Sequence, residues 1–167
     1  MSDNNNSKKG TCSDECSCGC LKDCLDGDKT LIRDILKTVI MGSQAIDVTR
    51  EYVESEAFAG FLCDLQNRYQ DLIHETEGIM RNKGISEDML SSVKEAFSRG
   101  MVKMGMMGTH SDEKVAEQLI KGTTMGLQTI GNNLNVSCDY SADILAQAKK
   151  VEQELNQSLQ ELRKWLA

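Results

Sequence analysis

The sequence predicts an all-α protein, an antiparallel four-helix bundle preceded by a disordered N-terminal tail. From about residue 28 onward, apolar side chains recur every three or four positions, the period of one face of an α-helix. The 167 residues include no proline, which breaks helix interiors. Apolar residues make up 40% of the chain but aromatic residues only 4%, so the core must be mainly aliphatic.

The first two helices are predicted at residues 30–53 and 56–82. Asp28 or Thr30 is the expected N-cap of the first helix, and Gly84 is expected to end the second. The first helix has the apolar stripe Ile32, Ile35, Leu36, Val39, Ile46 and Val53. In the second, spacings of four and three alternate as in a coiled-coil seam, through Phe58, Leu62, Leu65, Tyr69, Leu72, Thr76 and Ile79.

The third and fourth helices are predicted to begin after Ser111 and Ser141, which are good N-caps. The stripe of the third is Ala116, Leu119, Ile120, Thr123, Leu127, Ile130 and Leu134. That of the fourth is Leu145, Ala148, Val151, Leu155, Leu159, Leu162 and Leu166. A short extra helix is expected between helices two and three, with the apolar residues Leu90, Val93, Phe97, Met101 and Met104.

The charge of the chain argues against two classes of partner. With a net charge of −7 and a pI near 4.9, it lacks the clustered basic residues that bind nucleic acid, and it is repelled by anionic membranes. No apolar run approaches the roughly 20 residues that span a bilayer. Residues 1–9 are polar and lack the apolar core of a signal peptide. We therefore expect a cytoplasmic protein with reduced thiols and no nucleic-acid or membrane partner.

Five of the seven cysteines lie in residues 1–28, which hold only two large aliphatic side chains, too few to offset the entropy of ordering. The chain therefore divides into a flexible cysteine-rich tail, 1–28, and a bundle, 29–167. The candidate metal ligands of the tail are Cys12, Cys16, Cys18, Cys20 and Cys24. Their C-x3-C-x-C-x-C-x3-C spacing is closer to clustered-thiolate sites than to zinc fingers, and Zn, Cu(I) or an iron–sulfur cluster would suit them.

Two alternatives to metal binding stay open for these thiols, oxidative cross-linking between chains and a redox buffer without a specific metal. Cys63 lies off the seam and is expected at the surface, while Cys138 is expected in a turn. Because seven is an odd number, complete internal pairing is excluded.

No di-iron centre is expected in the bundle. Such a centre needs inward Glu residues and Glu-x-x-His pairs. His74 is the only histidine on a main helix, and with Asp71 it lies opposite the seam. The middles of the inward stripes are instead small or neutral, at Gly42, Ser43, Tyr69, Thr123 and Ala148 or Val151.

Two further motifs allow a functional and a packing interpretation. Gly122 and Gly126 would relieve crowding against a bulky neighbour such as Tyr69 or Phe61, or would open a ligand groove. The second motif is a cluster of methionines followed by a histidine. Its thioether groups are soft ligands that suit Cu(I), but two of the methionines continue the apolar stripe of the short extra helix, which favours core packing. Its members are Met101, Met104, Met106, Met107 and His110.

Three segments and the order of elements support a resemblance to a family. The segments are Phe97-Ser98-Arg99-Gly100, Ser111-Asp112-Glu113-Lys114 and Ile120-Lys121-Gly122-Thr123-Thr124. From about residue 30 onward the chain resembles uncharacterised bacterial ferritin-like bundles related to rubrerythrins. Carboxylates usual in that family are replaced by Thr123 and Thr124, and a histidine of the final helix by Asn156. The resemblance implies the ferritin-like fold and a stress or spore-associated role, but not iron oxidation or storage.

The expected function is that of a non-catalytic interaction or assembly module. No nucleophile–base arrangement, Walker motif or dinucleotide fingerprint is visible in the sequence. We expect the bundle to form a homodimer and to accept a protein partner, with the tail adding metal-dependent or thiol-dependent association. The alternative is a redox-active metalloprotein of the rubrerythrin class, using a di-iron centre or a thiolate-bound cluster.

Overall fold

The computed structural model describes residues 20–86, 111–136 and 139–166, and the regular structure in these ranges is entirely helical. Within these ranges lie four long helices, α1 (Cys20–Thr49), α2 (Glu56–Asn82), α3 (Asp112–Leu134) and α4 (Ala142–Leu162). Short 3-10 helices follow α1 and α4 at Arg50–Tyr52 and Arg163–Trp165. The prediction of an all-α protein is confirmed, whereas the short extra helix falls at 87–110, outside the described residues.

The bounds of α2 agree with the prediction because local signals define both ends. The side chain of Ser55 accepts a hydrogen bond from the Phe58 amide at 3.2 Å, which caps the first turn. After the helix, Gly84 adopts a φ of 65°, a conformation that favours glycine. Ser111 likewise caps α3 as predicted, accepting a bond from the Lys114 amide.

The predicted start of α1 is wrong. The helix begins at Cys20, so Asp28 and Thr30 lie inside it and neither is its N-cap. Thr30 Oγ1 donates to the Asp26 carbonyl one turn earlier, at 2.9 Å. The buried carboxylate of Asp28 instead accepts a hydrogen bond from the Ser141 amide at 2.9 Å, just before α4. The helix therefore runs through the predicted boundary at residue 28, and the division of the chain stays a prediction.

The core lies between the four helices and is built from the predicted stripes. All predicted stripe residues of α1 and α2 are buried except Val53 and Ile79, which are half-buried. Leu31 and Ile40 of α1 are buried as well. Because α1 contacts each of the other three long helices, it buries a wider arc of its surface than one stripe provides.

An aromatic cluster closes one end of the core. Phe58, Phe61 and Trp165 stack at one end of the core, where ring centroids of Phe58 and Trp165 lie 4.6 Å apart. This contact fixes the end of α4 against the start of α2. None of the described helices combines the length and the apolarity that crossing a membrane requires.

Candidate functional site

The predicted metal ligands belong to the N-terminal part of the sequence, and the structure describes two of the five. Cys12, Cys16 and Cys18 are outside the described residues. Cys20 and Cys24 lie within α1, in the helix that continues into the bundle.

The remaining cysteines are separate from that group. Cys63 on α2 is an exposed free thiol, as the sequence predicts, and its Sγ accepts a hydrogen bond from Arg50 Nη2 at 3.8 Å. Cys138 lies outside the described residues. The four candidate methionines and His110 lie outside them too, so the choice between core packing and Cu(I) binding stays open.

At the centre of the bundle the ring of Tyr69 occupies the space between α2 and α1. Tyr69 is only 2% exposed. A Cβ atom added at Gly42 would lie 2.9 Å from Tyr69 Cδ1 and closer still to Cε1. Gly42 therefore makes the room that the phenol ring fills, and the two residues form one packing unit.

The hydroxyl group of Tyr69 joins three helices. It is in hydrogen-bond contact with the side chains of Thr123 on α3 and Ser158 on α4. Thr123 Oγ1 donates to the Leu119 carbonyl at 2.7 Å, and Ser158 Oγ donates to the Glu154 carbonyl at 2.8 Å. Because both hydroxyls donate their protons to backbone carbonyls, each presents an acceptor oxygen to Tyr69, whose single O–H proton the two oxygens share. Burial raises the pKa of Tyr69, so the group is a neutral phenol.

An ion-pair cluster lies beside this hydroxyl group. Arg68 Nη1 lies 3.0 Å from Glu154 Oε1, and Arg68 Nη2 lies 2.5 Å from Glu161 Oε2. Burial raises the pKa of Glu154, although the charge of Arg68 opposes the effect. For Glu161, burial is outweighed by hydrogen bonds from Arg68 and Gln157, so its pKa is lowered. Ser158 Oγ lies 3.4 Å from Glu154 Oε1 and connects the two clusters.

The structure brings together some of the neutral residues predicted for the middle of the bundle. Gly42, Tyr69 and Thr123 meet there, whereas Ser43 lies elsewhere on the α1–α2 interface, accepting bonds from Gln66 and Gln70. Ala148 and Val151 are buried, but the α4 residues that face the Tyr69 hydroxyl cluster are Ser158 and Glu154.

Sequence reasoning missed Ser158, and a signal for it was present. Ala148, Val151, Leu155, Ser158 and Leu162 repeat at spacings of three and four, so Ser158 belongs to the inward stripe. Arg68, Glu154 and Glu161 had no such signal, because long charged side chains beside a seam usually point to water.

The residues considered for iron lie mostly at the surface. His74 and Asp71 are exposed, as predicted, and Asn156 is exposed with its side-chain amide on the Glu152 carbonyl. Among the side chains described, no group of three or more His, Cys, Asp or Glu is arranged to hold a metal ion.

The glycine pair of α3 does not contact Tyr69 or Phe61. Gly126 lies against α1, where an added Cβ would come within 2.7 Å of Thr38 Cγ2, and Gly122 is exposed with open space around it. The predicted packing of this pair against Tyr69 or Phe61 is therefore wrong, because Gly126 makes room for the side chain of Thr38 instead.

Comparison with known proteins found no matching family model, curated protein or solved structure. The resemblance to ferritin-like bundles stays a prediction.

Removal of the Tyr69 hydroxyl tests the hydrogen-bond cluster. Tyr69→Phe is expected to lower the free energy of unfolding by about 1 kcal/mol, since Ser158 and Thr123 keep their bonds to carbonyls. Urea denaturation followed by circular dichroism measures the change. A variant as stable as the wild type would contradict the hydrogen bonds assigned to this hydroxyl.

Proposed function

We propose that this chain is a non-catalytic, ferritin-like helical-bundle protein that serves as an interaction or assembly module and carries a soft metal ion on its N-terminal cysteines. The observation behind the proposal is that two of the candidate ligands, Cys20 and Cys24, belong to α1. The same helix continues into the core through Ile32 and Ile35. A metal bound by these thiols and their upstream neighbours would be coupled to the bundle by a continuous helix.

The contacts between helices support an antiparallel bundle. Between α1 and α2, residue numbers rise along one helix as they fall along the other, in the pairs Ser43–Gln70 and Arg50–Cys63. The same holds between α1 and α3, in the pairs Asp34–Asn133 and Thr38–Gly126. The same holds between α2 and α4, in the pairs Arg68–Glu161, Thr76–Gln147 and Lys83–Asp143. These pairs support the proposal that neighbouring helices run in opposite directions.

The start of α3 supports the ferritin-like connection. The Ser111 amide donates to the Tyr52 carbonyl at 3.1 Å, and Asp112 accepts a bond from the Ser55 amide at 3.2 Å. The start of α3 thus lies at the start of α2, while Gly84 follows its other end. Residue 86, which follows the end of α2, and residue 111, which lies beside its start, are therefore separated by the length of α2, about 40 Å. One long crossover between helices two and three distinguishes ferritin-like bundles from simple up-and-down ones.

The centre of the bundle favours a scaffold over a di-iron enzyme. Tyr69 is the one inward residue from the predicted stripes that could ligate iron well, and its raised pKa keeps the proton that a phenolate ligand must lose. Its hydroxyl is engaged by Thr123 and Ser158, and its ring fills the space at Gly42. These contacts stabilise packing and leave the thiols as the favoured metal ligands.

Metal content tests the proposal directly. Full-length protein, purified without oxygen and loaded with Zn(II) or Cu(I), is expected to bind at least one ion that a variant with all five tail cysteines changed to serine does not bind. Serine variants suit this test better than truncation at residue 28, because truncation would remove turns of α1. Cys63→Ser is the matched control and should keep the metal, since this thiol lies on α2. Elemental analysis gives the stoichiometry.

Other outcomes of this experiment overturn the proposal in distinct ways. Metal retained by the five-serine variant would put the site in the bundle and favour the redox metalloprotein. Absence of metal from both proteins, with disulfide-linked oligomers formed by the wild type under oxidation, would favour cross-linking through the thiols.

A further inference from the structure

Four of the five large apolar side chains that are exposed among the described residues belong to α1 and the region of α3. They are Met41 (38% exposed), Val48 (41%), Met125 (59%) and Val136 (60%), and the fifth, Leu166, follows α4. Single exposed apolar residues are ordinary, but a group confined to two adjacent helices marks a surface.

These side chains flank the line along which α1 and α3 touch. Thr38 lies against Gly126, and the Asn133 amide donates to Asp34 at 2.8 Å, which sets the two helices side by side. At about 100° per residue, Met41 and Met125 lie on the opposite side of this line from the buried Val39 and Ile130. We call the outer surface formed by Met41, Val48, Gly122, Met125 and Val136 the α1–α3 face.

The centre of the α1–α3 face lacks charge on a chain that is strongly charged elsewhere. Residues 38–46 of α1 and 122–136 of α3 and its end contain no Asp, Glu, Lys or Arg, and the exposed Lys37, Asp47 and Lys121 border these stretches. The whole chain has a net charge of −7. On the opposite side, α2 and α4 expose Asp71, Glu75, Lys149 and Lys150. Since copies of like net charge repel, an interface whose centre is uncharged costs the least electrostatic energy, and interface centres are depleted of charge.

We propose that the α1–α3 face binds the same face of a second copy, forming a homodimer about a two-fold axis. The proposal rests on the assembly role proposed above and identifies the surface through which two copies associate. Two helices side by side, one of 23 residues, present roughly 35 Å by 20 Å, or about 700 Å², close to the roughly 800 Å² that each partner of a stable dimer buries. Gly122, exposed and with nothing within 4 Å of an added Cβ, lets a partner helix come close.

The mass of the full-length protein in solution tests this face, in reductant and chelator so that the tail thiols contribute nothing. Sedimentation equilibrium is expected to show a dimer for the wild type. Met125→Glu should raise the dimer dissociation constant at least about 100-fold, because a two-fold interface receives the charge from both copies. Gly122→Arg should do the same. Gln153→Glu, on the exposed side of α4, adds one negative charge elsewhere and should leave the dimer unchanged.

Each alternative result overturns the α1–α3 dimer. A wild type that stays monomeric up to its solubility limit in reductant would contradict the proposed dimer. The proposal that the tail binds metal would be unaffected, because metal content is measured separately. Dimers of undiminished affinity for Met125→Glu and Gly122→Arg would move the interface elsewhere. Both variants should keep wild-type helicity, since both positions are exposed. Their melting temperature should match that of the wild type diluted until it is monomeric, because association itself raises the melting temperature. This agreement confirms that a loss of mass reflects lost association.

Discussion

Replacing Gly42 with alanine is expected to destabilise the protein by about 1–3 kcal/mol, although alanine is the better helix former. The added methyl group would overlap the Tyr69 ring, since its carbon would lie 2.9 Å from Cδ1 and nearer to Cε1. A buried aromatic ring between helices has no room to swing away, so α1 and α2 must separate or the ring must leave its rotamer. Urea denaturation at neutral pH measures the loss.

Other glycines of the same helices provide controls of opposite sign. Gly60 and Gly78 both lie on α2, and an added Cβ meets nothing within 4 Å at either position. Alanine there is expected to stabilise the protein by about 0.5–1 kcal/mol, because it lowers the entropy of the unfolded chain. If Gly42→Ala behaves like these two, the assigned contact is wrong.

A double-mutant cycle isolates the contact between Gly42 and Tyr69. Tyr69→Leu removes the ring and is itself destabilising, but it leaves space for a methyl group on Gly42. The loss caused by Gly42→Ala should therefore be smaller in the Tyr69→Leu background, with a coupling energy of about 1–2 kcal/mol. Strict additivity of the two losses would show that the glycine matters for a reason other than this ring.

Sequence alone predicted the helices well where the signals are local. For α2, the seam from Phe58 to Thr76 and the stop at Gly84 both act within a few residues of the atoms they affect. The 3.6-residue period needs no tertiary information, because one face of a helix must be apolar to be buried. Fold class and most of the core could therefore be predicted.

The start of α1 could not be predicted, because its decisive contact is distant in sequence. Asp28 has the chemistry of an N-cap, and its carboxylate does accept a backbone amide, but the amide is that of Ser141, 113 residues away. The same holds for the centre of the bundle. Tyr69 was expected on the inward stripe, whereas its room comes from Gly42 and its hydrogen bonds from Thr123 and Ser158 on two other helices.

Arg68→Met is expected to lower the free energy of unfolding by about 1–3 kcal/mol near neutral pH. Methionine keeps an unbranched stem but leaves Glu154 and Glu161 without their shared cation. The side chains of these glutamates are 18% and 27% exposed, so their pairs fall between surface pairs worth up to about 1 kcal/mol and fully buried pairs. Lys150→Met is the matched control, since the Lys150–Glu75 pair is exposed and should cost less than about 1 kcal/mol.

The pH dependence of this loss separates charge from packing. In the wild type the lowered pKa of Glu161 gives stability that is present above the ordinary value of 4.5 and is lost as pH falls through the folded value. The raised pKa of Glu154 acts in the opposite sense, since its ionisation costs stability as pH rises above 4.5.

Without Arg68 the pKa values of both carboxyl groups rise, because each loses an attractive charge. At neutral pH the ionised Glu154 and Glu161 then repel each other. As pH falls toward 4 both carboxyl groups take up protons, and a neutral carboxyl group gains no charge attraction from a guanidinium. The destabilisation by Arg68→Met should therefore shrink between pH 7 and pH 4 in paired denaturation curves of variant and wild type. A loss of the same size at both pH values would mean that Arg68 stabilises the bundle by packing its stem rather than by its charge.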